Sequence, residues 1–170
     1  MHGQTPEINS ILNRIEERVE HGSVSYAFSI GKDFIMKTIR FESKEHENFF
    51  YSMLKRTGNT DGYHQAFFYC VRISDTTRRN VERIFDFKQG HIKPAGLYEG
   101  WQTGSSIRLT RLAFNLWNGY TEKGDEQMST PYEIFDCGYA PYFFEAIRLK
   151  YPDYCRELPA MKTQTAQRER

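Results

Sequence analysis

"GWQTGSSIRLTRLAFNLWNG", residues 100–119, carries apolar side chains at Leu109, Leu112, Ala113, Leu116 and Trp117. This i, i+3, i+4, i+7, i+8 spacing belongs to a helix whose apolar face is fully engaged by a core. Ser105 or Ser106 is the expected N-cap. A polar stripe of Arg108, Arg111, Asn115 and Asn118 runs beside that face, with Trp101, Gln102 and Thr103 just upstream. Asn is a mediocre helix former, so two on one side imply that packing or hydrogen bonding overrides propensity. Two readings stay open: the stripe is structural glue between helices, or it lines a binding surface.

Helical patterning continues on both sides. Downstream, "YTEKGDEQMST" (120–130) is the most polar internal stretch and reads as an exposed loop. Thr130-Pro131 begins a short helix ending near Cys137-Gly138. Ala140-Pro141 begins the last helix, with Phe143, Ala146, Ile147 and Tyr151 on one face before Pro152. The tail, 156–170, has no periodicity and is expected to be disordered. Upstream, Ser43 caps a helix with Glu45 and Glu47 in its first turn and with His46, Phe49, Phe50, Met53 and Leu54 inward. Asp61 caps the next, where Tyr63, Ala66, Phe67, Cys70 and Val71 face in. Ser74-Asp75 opens a helix through "TTRRNVERIFDF", with Val81, Ile84 and Phe85 inward and Gly90 as its stop. "HIKPAGLYEG" is a connection with one helical turn after Pro94.

The N-terminal part differs. Thr5-Pro6 opens an amphipathic helix (Ile8, Ile11, Leu12, Ile15, Val19) that ends at Gly22. Val24, Tyr26, Phe28 and Ile30 then alternate with small polar residues, the period of a half-buried strand. Gly31-Lys32-Asp33 supplies a turn and residues 34–41 the returning strand. The expected fold class is α+β and predominantly α-helical. A helix and β-hairpin (1–41) precede a compact bundle of five to six short helices (42–155), all in one domain spanning 1–155.

The chain has 170 residues, 39% hydrophobic and 26% charged, which excludes wholesale disorder. Aromatic residues reach 15%, and Phe and Tyr in that number serve either a ring-rich core or a binding surface. The net charge of +1 provides no global attraction to polyanions and excludes an acidic imitation of DNA. Cys70, Cys137 and Cys155 are widely spaced and have no zinc-ligand pattern, so free thiols in a reducing cytosol are expected. "MHGQTPEINS" lacks the apolar run of a signal peptide, and no stretch approaches a membrane span. The expectation is a cytoplasmic domain with no membrane contact and no cofactor or metal.

P-loop, nucleophile-elbow, zinc-protease and dinucleotide fingerprints are all missing from the sequence. Three loose constellations remain. Glu45, His46, Glu47, Asp61 and His64 lie at two helix starts and could hold a metal or act as general acids and bases in a small nuclease or hydrolase. Against that, His46 falls on an apolar face and Asp61 is explained by capping. Arg72, Arg78, Arg79, Arg83, Lys88, Lys93, Arg108 and Arg111, with Tyr98, Trp101 and Trp117 among them, could form a local basic patch for nucleic acid. Glu82 and Asp86 on the same segment argue for partial neutralisation. The third constellation is the polar stripe itself: Trp101, Gln102, Arg108, Arg111, Asn115 and Asn118.

"EHENFFY", "DGYHQAFFY", "TRRNVERIFDF", the 100–119 stretch and "FDCGYAPYFFEAIRLKYPDYC" resemble a family of unknown function carried on conjugative and phage-like elements of Gram-positive bacteria. The likeness runs from about Phe41 to Cys155 and brings no catalytic residues with it. It implies an accessory protein that protects a mobile element from host defence, in its sharpest form an anti-CRISPR protein. The expected function is then non-catalytic binding and inhibition of a host protein or nucleoprotein, such as a CRISPR effector with its guide RNA. A nuclease using His46 and His64, and a structural or regulatory part of the element's own machinery, are the alternatives.

Overall fold

The computed structural model describes residues 25–26 and 37–155. The expected helix from Thr5 to Gly22 and the tail from residue 156 lie outside the described residues. Strand β1 (Ser25–Tyr26) pairs antiparallel with β2 (Lys37–Thr38), Ser25 opposite Thr38 and Tyr26 opposite Lys37. The rest is predominantly helical, with seven α-helices among the described residues.

Helix α1 (Lys44–Thr57) starts where the Ser43 hydroxyl accepts the His46 N–H at 3.1 Å, and it ends at Gly58 in the left-handed region. Helix α2 (Gly62–Ile73) is capped by Asp61, whose carboxylate accepts the N–H groups of Tyr63 and His64. Every residue of α2 from His64 to Ile73 is buried, because α1 and the later helices Gly104–Asn118 and Ala140–Lys150 pack around it. Tyr63, expected inward, is exposed in the first turn, where its ring lies under the Lys150 ammonium. Ser74 both ends α2 and caps α3 (Asp75–Arg79).

The single helix expected through "TTRRNVERIFDF" is broken. Asn80 leaves the helical region, α4 (Val81–Ile84) is one turn, and Phe85 is extended. Strand β3 (Phe85–Asp86) pairs with β4 (His91–Ile92), a hairpin the helical reading missed. The Asp86 carboxylate accepts the N–H groups of Lys88 and Gln89, each at 2.9 Å, and Gly90 has φ +70°, so the turn is satisfied without a helix. Its rings also reward the extended form. Phe85 packs on Phe67, Phe68 and Trp117, while Phe87, two residues on, stacks on Phe68.

A 3-10 helix (Pro94–Tyr98) returns the chain to α4, so close that a Cβ on Gly96 would sit 2.6 Å from the Arg83 carbonyl oxygen. Helix α5 (Gly104–Asn118) is capped by Thr103, not by Ser105 or Ser106. Thr103 and Ser106 bond reciprocally, each side chain to the other's N–H. The polar 120–130 segment is only partly an exposed loop: it buries Glu122 and contains a 3-10 turn (Glu126–Ser129). Helix α6 (Pro131–Ile134) stops before Cys137, and α7 (Ala140–Lys150) buries Phe143, Ala146 and Leu149 and leaves Tyr151 exposed.

Most rings answer to the core. Phe41, His46, Phe50, Tyr51 and Tyr69 form one network. His64, Phe67, Phe85, Phe114 and Trp117 belong to another on the opposite side.

The contact at Gly96 predicts that Gly96→Ala destabilises the chain by about 1–3 kcal/mol through overpacking against backbone. Gly104→Ala meets only the flexible end of Arg108 at 3.8 Å and should leave stability unchanged or slightly raised. Urea unfolding of the two variants checks both outcomes.

Candidate functional site

Three of the four polar-stripe residues of α5 bond within the chain. Arg111, buried, donates from Nε and Nη2 to the Glu122 carboxylate at 2.5 and 2.9 Å, and Glu122 is only 3% exposed. That hydrogen bonding raises the Arg111 pKa and anchors the polar loop to the helix. Arg108 donates to the carbonyls of Glu133 and Gly104 and lies 3.7 Å from the Asp136 carboxylate. Asn118 accepts the Tyr120 N–H at the helix end, and Asn115 is half-buried. The Gln102 amide donates to the Gly96 carbonyl and the Thr110 hydroxyl, while its oxygen accepts from Ser106. Trp101 donates to Glu99, which also pairs with Arg83.

The histidines occupy separate environments. His46 is fully buried: Nε2–H donates to the Tyr69 carbonyl at 2.9 Å and Nδ1 accepts the Glu42 N–H at 3.3 Å. Backbone partners on both nitrogens specify the neutral ring. Burial drives its pKa down to about 4, against the hydrogen bond to Tyr69. His64 donates from Nδ1 to both oxygens of Asp61 at 2.9–3.0 Å, and its Nε2 accepts from Asn59 at 3.4 Å. Partial burial pushes the Asp61 carboxyl up, but hydrogen bonds from the side chain and backbone of His64 outweigh it and leave the pKa lowered. Glu45 is exposed on α1. Among the described residues, no group of three or more His, Cys, Asp or Glu could hold a metal ion.

The basic run is largely paired. Arg72 and Arg78 share Asp75 at 3.2 and 3.3 Å, and Lys93 donates to the Glu82 carbonyl. Arg79 and Lys88 are exposed and form no ion pair with the described residues.

A different place has the shape of a site. Arg40, Tyr69, Pro141, Tyr142, Phe144, Glu145 and Arg148 line an open groove of about 390 Å³. This lies at the small end of the roughly 300–1,000 Å³ typical of ligand sites. One wall is α7, on which Pro141, Glu145 and Arg148 share a face at i, i+4, i+7. The other is the chain leaving β2 at Arg40, whose carbonyl accepts the Tyr69 hydroxyl. Glu145 is buried and accepts from Arg148 at 2.5 Å. Phe144, 65% exposed, packs by its edge on Phe135 at 5.3 Å between centroids. Sequence reading found none of this. The faint signal was "PYFFEAIRLK", where Phe143 satisfies the core and leaves Phe144 without an inward role.

Residues 36–163 match DUF6075, a family of unknown function. The chain belongs to that family. The match includes β2 and leaves β1 outside, and it covers both walls of the groove. No curated protein and no solved structure matches the chain. No helix among the described residues is long and apolar enough to cross a membrane.

Two outcomes follow from the buried polar groups. Arg111→Met strands the Glu122 carboxylate and should cost about 3–5 kcal/mol, whereas Arg111→Met with Glu122→Leu should recover most of it. Urea titration of both variants reads the difference. For His46, the folded pKa of about 4 lies below the ordinary 6.5, so the unfolded chain binds the extra proton. Its contribution is present in full above the ordinary value and is lost as the pH falls, by about 2 kcal/mol between pH 7.5 and 5. Unfolding titrations at those two pH values should show this loss reduced in His46→Gln.

Proposed function

We propose that the chain is a non-catalytic binding protein: a cytoplasmic accessory of a mobile element that occupies a host protein or nucleoprotein, as an anti-CRISPR protein does. The observation that carries this reading is the placement of its exposed rings. Four of the six exposed rings among the described residues, Tyr132 at 85% exposure, Phe144, Tyr151 and Tyr154, lie in the α6–α7 end of the chain, while Tyr63 and Tyr98 lie elsewhere. Most other large rings are spent in the core. Exposed aromatics beside arginines are the residue types that anchor protein interfaces. The polar groups that chemistry would need serve the fold instead: His46 holds the Tyr69 carbonyl, Arg111 holds Glu122, and the Gln102 amide bonds to the Gly96 carbonyl and two hydroxyls. The mobile-element setting comes from the family resemblance alone.

One observation favours the enzyme reading. The Asp61–His64 pair has the geometry of a base and its orienting carboxylate. However, the second ring nitrogen meets Asn59, not a nucleophile.

A purified CRISPR effector loaded with its guide RNA provides the test, passed over immobilised wild-type chain. The binding reading expects retention that drops at least about tenfold in the Tyr132→Ala, Phe144→Ala double variant. Circular dichroism of the double variant should match wild type, since both rings are exposed. Absence of retention, together with nucleic-acid hydrolysis that His64→Gln abolishes, would establish the enzyme instead.

A further inference from the structure

The groove between Arg40 and α7 combines three features. It has a concave wall, a guanidinium on each side, and a largely exposed ring at its rim. Its ionised lining is two arginines against one glutamate. Glu145 alone would repel an anion, but Arg148 neutralises it through an ion pair at 2.5 Å. The net positive charge is then that of Arg40, which is exposed on the opposite wall. Arg40 is held by its backbone: the hydroxyl of fully buried Tyr69 donates to its carbonyl, which fixes the main chain and leaves the side chain to solvent. The ring of Phe144 is supported along one edge by Phe135, so it is presented at low conformational cost.

We propose that this groove binds one nucleotide of a single-stranded nucleic acid, with its phosphate on Arg40 and its base stacked on Phe144. A duplex keeps its bases stacked on one another and offers no free face to a lone ring; an unpaired strand does. The volume of about 390 Å³ suits a single unit rather than a helix. An acidic peptide could use the guanidinium, but its carboxylates supply no flat face to Phe144, whereas a nucleotide supplies charge and ring together. Tyr142 and Pro141 complete the wall that the sugar would lie against. This inference goes beyond binding of a host protein and does not depend on it, since it concerns the purified chain alone.

Fluorescence anisotropy of a labelled ten-nucleotide oligouridine, and of a duplex of equal length, tests it across a salt series from about 50 to 200 mM. Wild type should bind the single strand saturably and prefer it over the duplex. Arg40→Ala should weaken binding several-fold at low salt and flatten the log–log salt slope by about 0.7, the loss of one phosphate contact. Phe144→Ala should weaken binding roughly tenfold and leave the slope unchanged, the mark of a stacking partner. Lys123→Ala, an equal charge loss outside the groove lining, should leave affinity within twofold. Equal loss in Lys123→Ala and Arg40→Ala, no single-strand preference, or binding removed by Arg78→Ala with Arg79→Ala but not by Arg40→Ala overturns the proposal. So does binding of an acidic or phosphorylated peptide in place of the oligonucleotide.

Discussion

Helix α2 has no solvent face over its last ten residues, and the other elements are arranged by the need to cover it. An isolated helix with rings on every side is insoluble by itself, so each side requires its own cover. Helix α1 takes Tyr69 through His46 and Phe50, α5 takes Phe67 through Phe114 and Trp117, and α7 supplies Phe143 and Ala146. The β3–β4 hairpin closes the remaining side with Phe85 and Phe87. Short elements are adequate because rings bury large areas per residue.

Burial on that scale leaves polar groups to be satisfied inside, and the chain does so with side chains that resemble catalytic ones. A neutral histidine reaches a backbone carbonyl, a glutamine spans a carbonyl and two hydroxyls, and an arginine closes on a buried glutamate. Each is costly to leave unpaired, and each is paired. Among the described residues, four of the six large hydrophobic side chains left exposed lie at the α6–α7 end.

Legibility in the sequence followed the strength of local chemistry. The starts of α1 and α2 were readable because Ser43 and Asp61 act within one turn of the chain, and the body of α5 because of its apolar periodicity, while its cap, Thr103, was missed. The second hairpin was misread because Val81, Ile84 and Phe85 fit a helical face. The competing signals were Asp86 and Gly90 in the turn and the Phe85/Phe87 alternation. Burial of Glu122 was invisible for another reason: its partner, eleven residues away on α5, makes a polar loop position into an interior one. The groove was the least legible part, since Arg40 and Tyr142 meet only through tertiary packing and neither belongs to a spaced motif.

The Tyr69 hydroxyl links this core to the groove. Its ring sits among Phe41, His46 and Phe50 while its oxygen reaches the Arg40 carbonyl. The Arg40 wall is therefore held to α2 by a single phenol. A chain lacking that one oxygen atom would keep its interior rings yet lose the strut that ties the Arg40 wall to the centre of the protein.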